Sequence, residues 1–183
     1  LQDSTRQSAM MRWGLGPSWA KTPRPQIQPI NAKAENVSTS GMFRNALRRR
    51  RCLVLADGFY EWRKLTDRKP VRITLSAGEP FAFAGLWERW SPREGEDGEA
   101  FSSCAIFTTT PNALIAPIHN RMPVILGHQE EGLWLDPDLP VEAAVSLLKP
   151  CPPEIMTMYE VSARVNSVRN KGPELVLPVQ QPS

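Results

Sequence analysis

Proline limits this chain more than any other feature. It fills 18 of 183 positions. Each proline fixes φ and removes a backbone donor. Long helices are therefore excluded over much of the chain, and sheets must be built from short strands joined by loops. The apolar runs at 11–15, 52–62, 70–76, 81–90, 101–109, 124–126 and 155–161 read as strands. Segments near 41–50, 111–116, 128–135 and 140–148 read as helices, with Ser40 placed to cap the first. Residues 20–30 form an extended proline-rich loop, 91–100 a polar hairpin loop, and 165–172 a polar, irregular stretch. No internal repeat or linker divides the chain. The expectation is an α+β fold: a single compact domain over 1–183, dominated by short, mostly antiparallel β-strands in barrel-like sheets, with a few flanking helices.

Hydrophobic residues make up 41% and charged residues 22% of the chain, ordinary values for a globular protein with a sizeable core. The net charge of +3 is compatible with nucleic acid without demanding it. No apolar run has the length of a membrane span, and the first residues are polar, unlike a signal peptide. A cytoplasmic, membrane-free protein is expected. Cys52, Cys104 and Cys151 have no CxxC spacing, and the two histidines are His119 and His128. This predicts reduced, buried thiols, no metal site and no cofactor.

One acidic residue sits in an aromatic stretch, Gly58-Phe59-Tyr60-Glu61-Trp62. In an extended chain Asp57, Phe59 and Glu61 share one face, with Tyr60 and Trp62 on the other. A carboxyl group among aromatics loses hydration, which favours its protonated form and suits it to general acid catalysis. Two further polar residues sit at element edges. His119 is able to shuttle protons near neutral pH, and Asn31 is able to orient a substrate through its amide. Each also has a plain structural reading: an edge glutamate, a turn-bonding histidine, a loop asparagine. A nucleophile is missing, since no serine lies in a GxSxG elbow and no cysteine has the setting of an activated thiolate. The run Arg48-Arg49-Arg50-Arg51 reads either as a nucleic-acid patch or as solvated cations favoured by a helix C-terminus.

Five blocks, in order, carry a resemblance: WGLGPSW at 13–19, NAKAE at 31–35, RCLVLADGFYEW at 51–62, IHNRMPVIL at 118–126 and VNSVRNKGPE at 165–174. Together they resemble the SRAP family, the SOS response-associated peptidase proteins related to abasic-site processing proteins of eukaryotes. The resemblance implies a single SRAP-like domain acting on abasic sites in single-stranded DNA. An amino-terminal cysteine, exposed by autoproteolytic removal of the initiator Met, attacks the open-chain aldehyde of the lesion. A Schiff base forms and closes to a thiazolidine, a covalent DNA–protein crosslink. An α-amine is partly neutral near neutral pH and so is a competent nucleophile toward an aldehyde.

By the same resemblance, Asn31 positions the cysteine and the sugar, Glu61 is the acid–base group, and His119 assists Schiff-base chemistry and crosslink reversal. Arg121 and Thr108 fall where relatives contact phosphate. Trp62 and Trp19 fall where aromatics stack on bases, a contact that ignores sequence. Lys33 stands where the family commonly has Arg; it keeps the charge and loses the bidentate fork. Asn36 replaces a common Thr, and Gly41 a phosphate-binding Arg of some members. The pattern's nucleophilic cysteine would precede Leu1, so the chain is expected to lack the family's N-terminal segment. The implied partner is abasic single-stranded DNA, with the protein a monomer. Two other readings stay open: a non-covalent single-stranded-DNA-binding module, and a peptidase acting on other proteins.

Overall fold

The computed structural model describes residues 6–23, 25–63, 68–94 and 98–179. Ten strands appear among them: β1 Arg12–Trp13, β2 Asn31–Lys33, β3 Arg51–Ala56, β4 Phe59–Trp62, β5 Pro70–Leu75, β6 Phe81–Trp90, β7 Phe101–Thr109, β8 Met122–Pro123, β9 Ile125–Leu126 and β10 Met156–Glu160. Three short α-helices accompany them: α1 Arg44–Arg49, α2 His128–Leu135 and α3 Val141–Ser146. The proline-rich sequence thus yields short elements, as expected.

The strands form two sheets. In the larger, β6 and β7 pair antiparallel from Gly85↔Ile106 to Trp90↔Phe101. β3 and β9 also run antiparallel to β6. The free side of β7 takes β1 and β2 in parallel and β8 in antiparallel. The smaller sheet is fully antiparallel, in the order β10-β5-β4. The sheets are therefore mostly antiparallel, and they remain two open sheets with no closed barrel.

Both faces of the large sheet are covered, which explains why β6 reads as a nearly continuous apolar run. Ala84 and Leu86 on one face pack with Leu47, Phe107, Trp134, Ala144 and Leu148, under the helices. Phe81 and Phe83 on the other face pack with Val71 and Ile73 of β5, Ile115, Ile118, Met122 and Met156. The result is three layers: helices, large sheet, small sheet.

The expected single strand over 52–62 divides at Asp57-Gly58, because its two halves belong to different sheets. Arg72 of β5 clamps the break. Its Nη2 donates to the Asp57 carbonyl at 3.1 Å and lies 3.0 Å from the Asp57 carboxylate, and Nη1 reaches the Tyr159 hydroxyl at 2.8 Å. A Cβ on Gly58 would lie 2.8 Å from Arg72 Nε, closer than packed atoms tolerate. Other expectations shift too. Ser40 does not cap α1 with its side chain; its carbonyl accepts from the amides of Phe43 and Arg44, and the helix starts at Arg44. Residues 111–116 form turns closed by Asn112, whose Oδ1 accepts from the amides of Leu114 and Ile115. Part of the expected 91–100 loop lies outside the described residues.

Candidate active site

Alternation along β4 sends its side chains two ways. Phe59 packs edge-on against Phe83 of the large sheet, ring centroids 5.9 Å apart. Glu61, two residues on, shares that inward face. Tyr60 and Trp62 point the other way, toward the C-terminal segment: the Tyr60 hydroxyl donates to the Leu175 carbonyl at 3.3 Å, and the Trp62 indole N–H to the Asn166 side chain at 2.7 Å. Trp62 keeps 40% of its surface exposed.

Glu61 meets His119. The carboxylate Oε1 lies 3.7 Å from His119 Nδ1, and the two side chains are 20% and 27% exposed. His119 follows buried Ile118 in a turn whose amide donates to the Ile115 carbonyl at 2.9 Å. Its Nδ1 is 2.8 Å from the Arg121 carbonyl and 3.1 Å from the Arg121 amide nitrogen. A protonated Nδ1 donates to the carbonyl; an unprotonated one accepts from the amide. Either way Nδ1 is engaged with protein, which leaves Nε2 as the ring atom free to exchange a proton with a substrate.

A polar group lies along the neighbouring strands. On β2, Asn31 and Lys33 share an exposed face around buried Ala32. Lys33 pairs across the sheet with Thr108, and Asn31 with Ile106. Arg121 reaches the same place. Its Nη1 and Nη2 donate to the two carboxylate oxygens of Glu35 at 2.6 and 2.9 Å, and Nη2 donates to the Thr108 carbonyl at 2.5 Å. Hydrogen bonding from Arg121 holds the Glu35 carboxyl below its ordinary range.

The structure thus joins Glu61 to His119, and Lys33 to Thr108 and Arg121, with the Arg121 backbone connecting the two groups. Asn31 belongs to the second group by its strand; no hydrogen bond among the described residues fixes its amide. Trp19 sits apart, 66% exposed, in the loop after β1. Two partners were missed in the sequence, Glu35 and Asn166. Both lie inside quoted blocks, but nothing local distinguishes a carboxylate or amide that finds its partner 86 or 104 residues away.

The four-arginine run splits. Arg48 and Arg49 are exposed on α1. Arg50 pairs with buried Glu88 at 2.7 Å, and Arg51 donates to carbonyls of Leu47, Trp134 and Asp136. Half the run is therefore structural.

The cysteines are all free thiols; Cys104 and Cys151 are buried and Cys52 half-buried. Burial pushes the Cys52 thiol up to about 12 and Cys151 to about 11. None is poised as a thiolate nucleophile. No three His, Cys, Asp or Glu side chains among the described residues are grouped to hold a metal. No described helix is long and apolar enough to cross a membrane.

A family model described as SOS response associated peptidase (SRAP) matches residues 1–168. The chain is 43% identical over 176 residues to the abasic site processing protein YoqW of Bacillus subtilis, spanning 94% of this chain and 77% of that protein. It is 34% identical to the abasic site processing protein HMCES of Xenopus tropicalis, spanning 93% of this chain and 57% of that one. A crystal structure of a Bacteroides thetaiotaomicron protein superposes with a TM-score of 0.84 at 31% identity, covering 93% of this chain and 76% of that one.

Proposed function

Because this chain belongs to the SOS response associated peptidase (SRAP) family, we propose that it processes abasic sites in single-stranded DNA, with Glu61 and His119 moving the protons. The observation that carries this reading is the 3.7 Å approach of Glu61 to His119, half-sheltered between the two sheets. The relatives named as abasic site processing proteins support the substrate class.

The chemistry needs proton transfers that such a pair supplies. An abasic site opens to an aldehyde. An amine nitrogen adds to the carbonyl carbon, and the resulting hydroxyl leaves as water once an acid protonates it, giving a Schiff base. A thiol on the same residue then adds its sulfur to the imine carbon while its proton passes to nitrogen, closing a thiazolidine. His119 Nε2 is placed as the group that exchanges protons, and Glu61 steadies the charged ring. The reading assigns the amine and thiol to an amino-terminal cysteine, which the 183 residues do not include. The same proton-transfer pair would serve removal of an initiator Met ahead of that cysteine.

Asn31 and Lys33, exposed on β2, are assigned to the sugar and the backbone phosphate, with Thr108 beside them. Trp62 and Trp19 are assigned to stacking on bases. The fixed site has no sequence-reading edge, which fits a lesion found in any context.

The test is a denaturing gel of abasic and intact single-stranded oligonucleotides incubated with the protein carrying its native amino terminus. The reading expects an adduct that survives denaturation with the abasic strand alone. No adduct, with equal affinity for both strands, would instead support non-covalent binding to single-stranded DNA. Cleavage of added proteins, lost in Glu61→Ala, would support the peptidase reading.

A further inference from the structure

The guanidinium of Arg121 is occupied. Its end fork holds both oxygens of Glu35, at 2.6 and 2.9 Å. Nη2 also donates to the Thr108 carbonyl at 2.5 Å and lies 3.3 Å from its hydroxyl. Nε is buried and finds no partner among the described residues. A phosphate is held best by two parallel N–H donors on one fork. Here one fork is taken, and the other is divided between a carbonyl and a buried nitrogen. A phosphate arriving at Arg121 would also face the Glu35 carboxylate, a like charge.

The backbone of the same residue has a second task. The amide and carbonyl of Arg121 are the two groups that engage His119 Nδ1, at 3.1 and 2.8 Å. The side chain therefore anchors the segment whose main chain holds the ring. The anchor points are firm: Glu35 lies in the 3-10 turn that follows β2, and Thr108 is on β7, both within the large sheet's parallel edge. The charged groups around the tie are Glu35, Lys33 and Arg121, and Glu61 faces the ring from the small sheet.

We propose that Glu35 is a positioning residue, acting through Arg121 to hold His119 against Glu61, and that Arg121 braces this ring instead of clamping DNA phosphate. The inference rests on the reading of Glu61 and His119 as the proton-transfer pair. It leaves Lys33 as the exposed cation beside Thr108 for a phosphate.

The experiment compares Glu35→Gln, Glu35→Asp and Arg121→Lys with the unaltered protein, native amino terminus in place. Three quantities are read: the single-turnover rate of adduct formation on an abasic oligonucleotide, the salt dependence of binding to an intact one, and the ring ¹⁵N signals of His119 at neutral pH. In Glu35→Gln the rate should fall on the order of 10- to 100-fold, as expected for misplaced catalytic groups. Affinity and salt slope for the intact strand should stay unchanged, and the His119 signals should move. Glu35→Asp should recover part of the rate.

Tighter binding of the intact strand by Glu35→Gln, with unmoved His119 signals, would overturn the proposal by making Glu35 a competitor of phosphate. A salt slope reduced by about one in Arg121→Lys would do the same, since that marks a lost phosphate contact. If no protein forms an adduct, unaltered protein included, the functional reading fails. The His119 signals then still decide whether Glu35 braces the ring.

Discussion

His119 Nδ1 and Glu61 Oε1 lie 3.7 Å apart, one on the turn that follows Ile118 and the other on the inward face of β4. Neither residue is near the other in sequence. The three-layer packing brings them together, since Phe59 beside Glu61 and Ile118 beside His119 join the same apolar cluster between the sheets. The pair is thus seated by the core, and its separation is set by rigid elements.

If the two side chains act as one unit, their substitutions should not add. Glu61→Gln and His119→Gln are each expected to slow single-turnover processing of an abasic oligonucleotide by roughly 10²- to 10⁴-fold, the usual worth of a positioned acid or base. The double variant should be little slower than the worse single one. Rates that multiply would mean that the two residues act in separate steps.

Trp62 presents an exposed indole whose N–H is fixed by Asn166 at 2.7 Å. A ring held at one edge is ready to stack at low entropic cost. Trp62→Ala should weaken binding to intact single-stranded DNA by roughly 1–3 kcal/mol, readable by fluorescence anisotropy. Asn166→Ala, which frees the ring without removing it, should cost less. Equal losses would show that Asn166 itself touches the strand.

The Glu35 carboxyl is held below its ordinary value of 4.5, chiefly by Arg121. A depressed folded-state value stabilises the fold above 4.5, and the gain disappears as pH falls through the lower folded value. The melting temperature gap between the unaltered protein and Glu35→Gln should therefore be larger at neutral pH than at pH 3. The Glu35 side chain is 44% exposed, so screening keeps the gap small. A gap constant across that range would remove the ion pair as its cause.

Burial raises the Cys52 thiol from 9.0 to about 12. A raised value favours the fold fully below 9.0, and the benefit is lost as pH climbs toward 12 because the unfolded chain ionises first. Urea midpoints should fall from pH 8 to pH 10.5, less steeply in Cys52→Ala. A thiol reagent at pH 8 should label the native 183-residue chain slowly and all three cysteines rapidly in denaturant.

Much of the fold was legible because β5, β6, β7 and β10 are apolar runs bounded by proline, glycine or polar residues. Their register to the neighbours was not, since pairing such as Lys33↔Thr108 joins residues far apart in the chain. β2 escaped notice because only Ala32 of its three residues is buried, too little for a pattern. The break at Asp57-Gly58 was hidden for a different reason: the Arg72 that clamps it comes from another strand. Glu61 and His119 stood out as polar residues in apolar settings, and the alternation expected along 59–62 is the one found. Glu35 did not stand out, because an acidic residue at the surface looks the same whether it is solvated or holds an arginine on both oxygens.

The most direct measurement is the time course of denaturation-resistant adduct on an abasic single-stranded oligonucleotide, with the native amino terminus intact, for the unaltered protein and for Glu61→Gln with His119→Gln. The account predicts rapid adduct with the unaltered protein, none with an intact strand, and a severe slowing in the double variant while DNA binding persists. Adduct formation at the unaltered rate in the double variant would contradict it.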